Sequence, residues 1–216
     1  HELNASANRG ACMQVCRHAY SVKDEERDIE LKVENQYIMS PKDLKTIHFM
    51  DVMLQSGVRV FKIEGRARGP EYVKTVVSCY REAIESYLDG TFTQNKIEDW
   101  NKRLSKVFNR GFWDGYYLGQ RLGEWSANYG SEATHKKVYI GKVTNYFNKL
   151  DVAEILVEAQ HIAIGDEMMI TGETTGVYED TIEEIRVELK PVQKAIKGNY
   201  FSIKTNKLVR RNDKVY

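Results

Sequence analysis

Apolar residues recur at helical spacing through the first half of the chain and at alternating spacing through the last third, so the pattern itself predicts two architectures. Asn35-Gln36-Tyr37-Ile38-Met39 reads as a short strand. Ser40-Pro41 suits an N-cap followed by proline at the first helical position, which predicts a helix carrying Leu44, Ile47, Met50, Met53 and Leu54 and stopped by Gly57. Val58 to Ile63 reads as a second strand. Gly69-Pro70 opens another helix, with a stripe of Val73, Val76, Val77, Tyr80, Ile84, Tyr87 and Leu88, closed by Gly90. Strand, helix, strand, helix with short links implies a parallel sheet with right-handed crossovers, whose chemistry gathers at the carboxyl ends of its strands.

Trp100, Leu104, Val107 and Phe108 suggest a third helix. After it, Asn109 to Tyr117 crowds glycine and aromatics into an ordered loop that suits either base stacking beside Arg110 or the filling of a seam between domains. From Lys137 the pattern becomes short alternating segments: Val138 to Val143, Val152 to Val157, Glu167 to Ile170, Thr181 to Val187, Phe201 to Ile203 and Lys207 to Val209, punctuated by glycines. Short strands with turn signals between them predict a small antiparallel β-barrel. The fold class is therefore α/β plus all-β, with an α/β portion over residues 1–95, a helical and aromatic connector over 96–133 and a barrel over 134–216. Gly165-Asp166 in the run Ala163 to Ile170, with Gly141-Lys142-Val143 before it and Asn212-Asp213-Lys214-Val215 after it, resembles the second-domain barrel of translation GTPases.

Length and composition fit this division: 216 residues, 42% hydrophobic, can build two modest cores, and no apolar run approaches the roughly 20 residues that span a bilayer. The chain begins at His1 without an initiator methionine or an apolar export segment, and reads as a piece of a longer protein. Three cysteines make no secreted disulfide framework and point to a reducing compartment, the cytoplasm. The net charge of +1 conceals polarity: residues 1–133 carry 19 basic and 19 acidic side chains, 134–189 carry 5 and 11, and 190–216 carry 8 and 1. The basic tail, Arg210 and Arg211 included, suits a phosphate-facing stripe; it equally suits solvated strand faces that balance the acidic stretch.

The candidate chemistry lies in two motifs. Cys12 and Cys16 are four residues apart between Arg9 and Arg17, which would favour thiolates, and thiolates ligate zinc or an iron–sulfur cluster. Cys79, on the shoulder of its helix's stripe, is either a further ligand or a buried inert thiol. Glu64, flanked by Lys62 and Arg66 at a strand end, is the best placed carboxylate, as a catalytic group or in a plain salt bridge. The sequence has no Gly-x-Ser-x-Gly elbow and no His-Glu-x-x-His, and its five histidines are scattered.

Asn8-Arg9-Gly10-x-Cys12-x-Gln14-x-Cys16-Arg17, Met39-Ser40-Pro41-Lys42-Asp43-Leu44, Phe61-Lys62-Ile63-Glu64-Gly65-Arg66 with Tyr72-Val73 and Tyr80-Arg81, and Asn109-Arg110-Gly111-Phe112 occur in the order found in the collagenase-like peptidase family of unassigned catalytic type, peptidase family U32, which the chain resembles over residues 1 to about 120. The resemblance implies a TIM-like barrel, of which this chain holds the last strands and helices. It implies an iron–sulfur cluster, 4Fe–4S, with Cys12 and Cys16 in paired ligand positions, the first ligand upstream of His1 and a further ligand position nearer Val73, about two turns from Cys79, the third metal-ligand candidate. It also implies RNA as a partner, because family members of this kind act in prephenate-dependent hydroxylation of the tRNA wobble uridine. Lys62, Glu64 and Arg66 are then the catalytic candidates, and Arg9, Arg17, Arg110, Arg210 and Arg211 the RNA-binding ones. A collagenase-like protease and a non-catalytic RNA- or protein-binding module are the alternatives.

Overall fold

The computed structural model of the protein describes residues 13–31, 39–66, 68–128 and 130–216. Its contacts form two compact units: one runs to Glu64 and resumes over Thr75–His135, and the other comprises Gly65–Lys74 and Lys136–Tyr216. Arg9, Cys12 and most of the strand read over residues 35–39 lie outside the described residues.

In the first unit, β1 (Val22–Asp24) and β2 (Ile29–Leu31) form an antiparallel hairpin. β3 (Asp43–Leu44) pairs in parallel with β4 (Phe112–Trp113). The helix read from Pro41 does not begin there. Asp43 N–H donates to the Gly111 carbonyl and Lys45 N–H to that of Trp113, both at 2.9 Å, so a ladder to residues about seventy positions away takes the donors a first helical turn would use. A 3₁₀ turn at Ile47–Phe49 follows and leads into the short α1 (Met50–Gln55). Val58 to Ile63, read as a strand, joins no ladder among the described residues. Its half-buried Phe61 and Ile63 alternate with exposed Lys62 and Glu64, so the strand's periodicity is present without a strand partner.

The two long helices are where the pattern placed them, α2 over Pro70–Leu88 and α3 over Gln94–Lys106. The buried face of α2 is rotated from the expected stripe: it consists of Val76, Cys79, Ala83 and Ser86, whereas Val73, Val77 and Leu88 stay exposed. These smaller residues and Ile97, Trp100 and Leu104 of α3 form the buried core of this unit with Ile47, Phe49 and Met50. Residues 96–133 are therefore part of the first unit instead of a separate connector. Glu82 joins the two helices, accepting from Trp100 Nε1 at 3.0 Å and from both Arg103 terminal nitrogens at 2.5 and 2.8 Å.

The second unit carries β5 (Gly141–Phe147), β6 (Val152–Val157), β7 (His161–Ala163), β8 (Glu167–Gly172), β9 (Gly176–Thr181), β10 (Ile185–Val187), β11 (Lys190–Val192), β12 (Lys194–Ile196), β13 (Tyr200–Lys204) and β14 (Lys214–Val215). Eight of them form one antiparallel sheet in the order β11-β10-β13-β6-β5-β14-β8-β9, and β7 pairs with β12 beside it. Inward positions of the strands, Val143, Ile155, Val157, Ile170, Ile185, Phe201 and Val215 among them, meet in one continuous cluster, so the sheet curls over a single core as a half-barrel. The run Thr181 to Val187 is two strands, because Ile182 N–H turns back to the Asp166 carbonyl at 3.0 Å. Lys207 to Val209 is not a strand; Lys207 Nζ and the Thr205 hydroxyl bind loop carbonyls, which makes this stretch the lead-in to β14. β7, β9, β11, β12 and β14 are absent from the sequence reading: β7, β11, β12 and β14 are two or three residues long, and β9 carries no alternation of burial.

Two stability outcomes follow from these packings. Phe201, fully buried among inward residues, should cost about 3–5 kcal/mol when replaced by alanine, measured by equilibrium urea unfolding. The Arg103 guanidinium, aided by the Trp100 N–H, holds the Glu82 carboxyl below its ordinary value of 4.5, against the opposing effect of burial. The stabilisation is then complete above that value and is lost as pH falls through the lower folded-state value. Thermal melts of wild type and Glu82→Gln should differ most at neutral pH and converge in acid; a gap that widened in acid would contradict the assignment.

Candidate functional site

The short parallel pair determines what the first unit can present. Both strands run in the same direction, so the residues that follow them, Lys45 after β3 and Asp114 after β4, leave from the same carboxyl edge. Asn109 makes this pairing possible: its side chain donates to the Val107 carbonyl at 3.0 Å and accepts from Gly111 N–H at 3.1 Å, and Gly111 turns the chain at φ +76°. Phe112 then lies 4.5 Å beneath the Lys45 ammonium, which also donates to Asn101 at 2.8 Å. His48 Nε2 is 3.1 Å from Asp114 Oδ1. Burial pulls the Lys45 ammonium below its usual value and Asp114 partly offsets this. A half-buried lysine, an imidazole and a carboxylate thus share the edge, a set able to move protons. The sequence reading missed this trio because it assigned residues 41–56 to a helix; the usable signal was a charged residue directly after each of the two apolar strand ends.

The carboxylate favoured by sequence is placed differently. Lys62, Glu64 and Arg66 are all exposed, on a stretch without ladder partners, and the contact division falls between Glu64 and Gly65.

The arginines separate by partner. Arg17 donates to the Ser40 hydroxyl at 2.7 Å, pinning the turn that carries Cys16 to the start of the Ser40-Pro41 segment. Arg110 is turned inward: its side chain is 14% exposed and its guanidinium is 3.6 Å from Asp43. Arg210 and Arg211 are exposed and line a cleft of about 720 Å³ in the second unit.

The thiols differ as well. Cys16 is half-buried and free, next to the anchored Arg17. Cys79 is fully buried on the inner face of α2, and desolvation pushes its thiol up to about 11, which holds it protonated where a metal ligand must be a thiolate. Among the described residues no three histidine, cysteine, aspartate or glutamate side chains gather as a metal site. Cys16 therefore fits a cluster ligand, Cys79 has the setting of a core thiol, and the described residues do not by themselves make up a ligand set.

The model for peptidase family U32 matches residues 2–127, more than half of the chain. The chain belongs to peptidase family U32. It is similar to a collagenase of Porphyromonas gingivalis, 61% identical over 216 residues, which covers 100% of this chain and 52% of that protein. It is also similar to a tRNA hydroxylation protein of Bacillus subtilis, 32% identical over 195 residues, covering 86% of this chain and 44% of that protein. This U32 chain thus spans about half the length of the curated relatives it matches. A solved C-terminal domain of a U32 peptidase candidate from Geobacillus thermoleovorans aligns at 18% identity and a TM-score of 0.35, covering 37% of this chain and 98% of that one. No helix among the described residues is long and apolar enough to cross a membrane.

The contrast between the thiols can be measured directly. Brief iodoacetamide treatment of the native protein near pH 8, followed by peptide mass mapping, should modify Cys16 and leave Cys79 unmodified until denaturant is added. Equal native labelling of both would show that the inner face of α2 is open.

Proposed function

We propose that this U32 chain is a portion of an RNA-hydroxylating enzyme that modifies the wobble uridine of tRNA with prephenate as co-substrate and an iron–sulfur cluster as cofactor. Residues 1–95 would contribute the last strands and helices of a TIM-like barrel, and the half-barrel of the second unit would hold RNA. The observation that carries this reading is Cys16: a half-exposed free thiol in an arginine-flanked turn that Arg17 anchors to Ser40, donor chemistry suited to a cluster and superfluous for packing. Likeness to a tRNA hydroxylation protein across most of the chain supports it. When bound, the cluster would supply redox chemistry. The chain's own residues would bind and orient RNA, and the Lys45, His48 and Asp114 edge would handle protons.

Peptide hydrolysis is the second reading, favoured by 61% identity with a protein named collagenase over the whole chain.

Anaerobic purification of the full-length protein separates the two. The first reading expects stoichiometric iron and sulfide, loss of both in Cys12→Ala and Cys16→Ala, and hydroxylated wobble uridine in tRNA only when the wild-type protein is supplied. Iron-free wild-type protein that cleaves denatured collagen would overturn it in favour of the second.

A further inference from the structure

We propose that the cleft over β5, β6 and β13 is a groove for single-stranded RNA, in which Arg210 and Arg211 grip phosphate and Tyr200 carries a stacked base. This rests on the RNA reading above and locates its contact surface. The cleft, about 720 Å³, falls within the roughly 300–1,000 Å³ of sites that take small organic ligands, and so has room for a nucleotide.

Several other cations of the same unit are committed to partners. Lys142 is paired with Glu158, Arg186 with Glu184, and Lys207 is committed to the Thr175 carbonyl. Neither the Arg210 nor the Arg211 guanidinium has a carboxylate partner among the described residues, although the unit's upstream stretch is acidic. Two adjacent exposed guanidiniums without internal partners suit the charge of a phosphodiester chain.

The loop that carries them is fixed before any ligand arrives. The Asp213 carboxylate, 6% exposed, accepts from Arg210 N–H at 2.7 Å and from the Thr175 hydroxyl at 2.5 Å. Val143 N–H donates to the Asp213 carbonyl and Asn212 N–H to that of Val143, both at 2.9 Å. Gly172 leaves room for this carboxylate; a Cβ there would lie 1.8 Å from Asp213 Oδ1. A backbone held in this way loses little freedom on binding, which is how preorganised sites gain affinity.

The remaining walls suit a base. Tyr200 is 54% exposed and offers a flat ring, the sequence-tolerant element of single-strand sites. A β-bulge between Val143 and Asn145 disturbs the register of β5 at the cleft. There Thr144 donates to Glu154 Oε1 at 2.7 Å, holding the one carboxylate of the cleft on β6 and away from the arginine loop. Asn145 accepts from Tyr146 N–H at 2.9 Å through its side-chain oxygen, which leaves its amide donors for a base edge, while Glu154 can accept from a base amino group. An extended peptide is the poorer fit. The cleft is built on β5, β6 and β13, none of which stands at an end of the sheet order, whereas peptide addition favours an end strand, and its cations are arginines suited to phosphate.

The test uses the full-length protein and a fluorescent anticodon stem-loop RNA, read by anisotropy across a salt series, with thermal melts to verify folding. Arg210→Ala with Arg211→Ala should weaken binding at least ~10-fold and reduce the slope of log affinity against log salt by ~1.4, two single-strand phosphate contacts' worth. Tyr200→Ala should weaken it ~10-fold and Tyr200→Phe should not, because stacking needs the ring alone. Lys190→Ala with Lys194→Ala, which removes the same charge outside the cleft, should leave affinity within about threefold of wild type, as expected for a rim charge that steers without contact. Wild-type protein that binds no RNA would overturn the RNA reading and this groove together. RNA binding that survives both cleft variants, or falls equally in the lysine control, would overturn the groove alone. Loss of gelatin-peptide binding in the cleft variants, with RNA binding intact, would reassign the cleft to peptide.

Discussion

Two residues keep the antiparallel sheet in one piece. Lys214 and Val215 of β14 stand between Lys142 and Gly141 of β5 on one side and Thr171 and Ile170 of β8 on the other. Remove that two-residue strand and the eight-stranded order parts into a five-stranded sheet and a β8-β9 hairpin. Two ladder pairs per side are a weak hold by themselves, so the strand depends on what precedes it. The buried Asp213 carboxylate converts a would-be desolvation cost into two hydrogen bonds that fix the chain's entry into the sheet. Glycine at 172 admits it, and glycine at 141 allows the backbones of β5 and β6 to approach where any Cβ would lie 1.9 Å from the Leu156 carbonyl oxygen. The position of the arginine loop is thus a by-product of closing the core.

The first unit uses charge in the opposite way. Arg17, Arg103 and Arg110 are each turned to an internal acceptor, Ser40, Glu82 and Asp43. They bring together segments separated by 23, 21 and 67 positions, and so assemble the carboxyl edge on which Lys45, His48 and Asp114 meet. Arginines that look alike in a sequence accordingly do different work: Arg17, Arg103 and Arg110 build the framework, whereas Arg210 and Arg211 line a cleft.

What the sequence made legible follows from how local each signal is. α2 and α3 were readable because Gly69-Pro70 and Gly90 act within a few residues of the helix they delimit and the spacing of Trp100 and Leu104 lies within α3 itself. The buried face of α2 was less so, since the small residues Cys79, Ala83 and Ser86 on it carry little hydrophobic signal, whereas Trp100 and Leu104 of α3 are buried as read. β6 and β13 alternate strongly and were read in place, whereas the strand read at Val138 to Val143 lies further on, as β5 over Gly141–Phe147; β14 is two residues long and has no period to read. The Ser40-Pro41 signal was overridden by Asn109 and Gly111, whose turn delivers a partner strand that no local window contains. Among the functional candidates, the accessible Cys16 and the exposed Arg210 and Arg211 were legible as residue types. Their circumstances, an anchored turn in one case and the lack of a carboxylate partner in the other, exist only in three dimensions.

The outer edge of the sheet at β11 has a consequence for how the protein behaves in a crowded solution. Val187 and Lys190 face each other across the two-residue turn Glu188-Leu189, so the alternation of an antiparallel pair directs the backbone nitrogen of Pro191, opposite Arg186, away from β10. At the place where an approaching strand would seek a donor, the edge offers a ring nitrogen that has none, with lysines at 190 and 194 to either side. A half-barrel whose curl leaves open edges is thereby prevented from growing by one more strand, and self-association through this edge is blocked by a single imino acid.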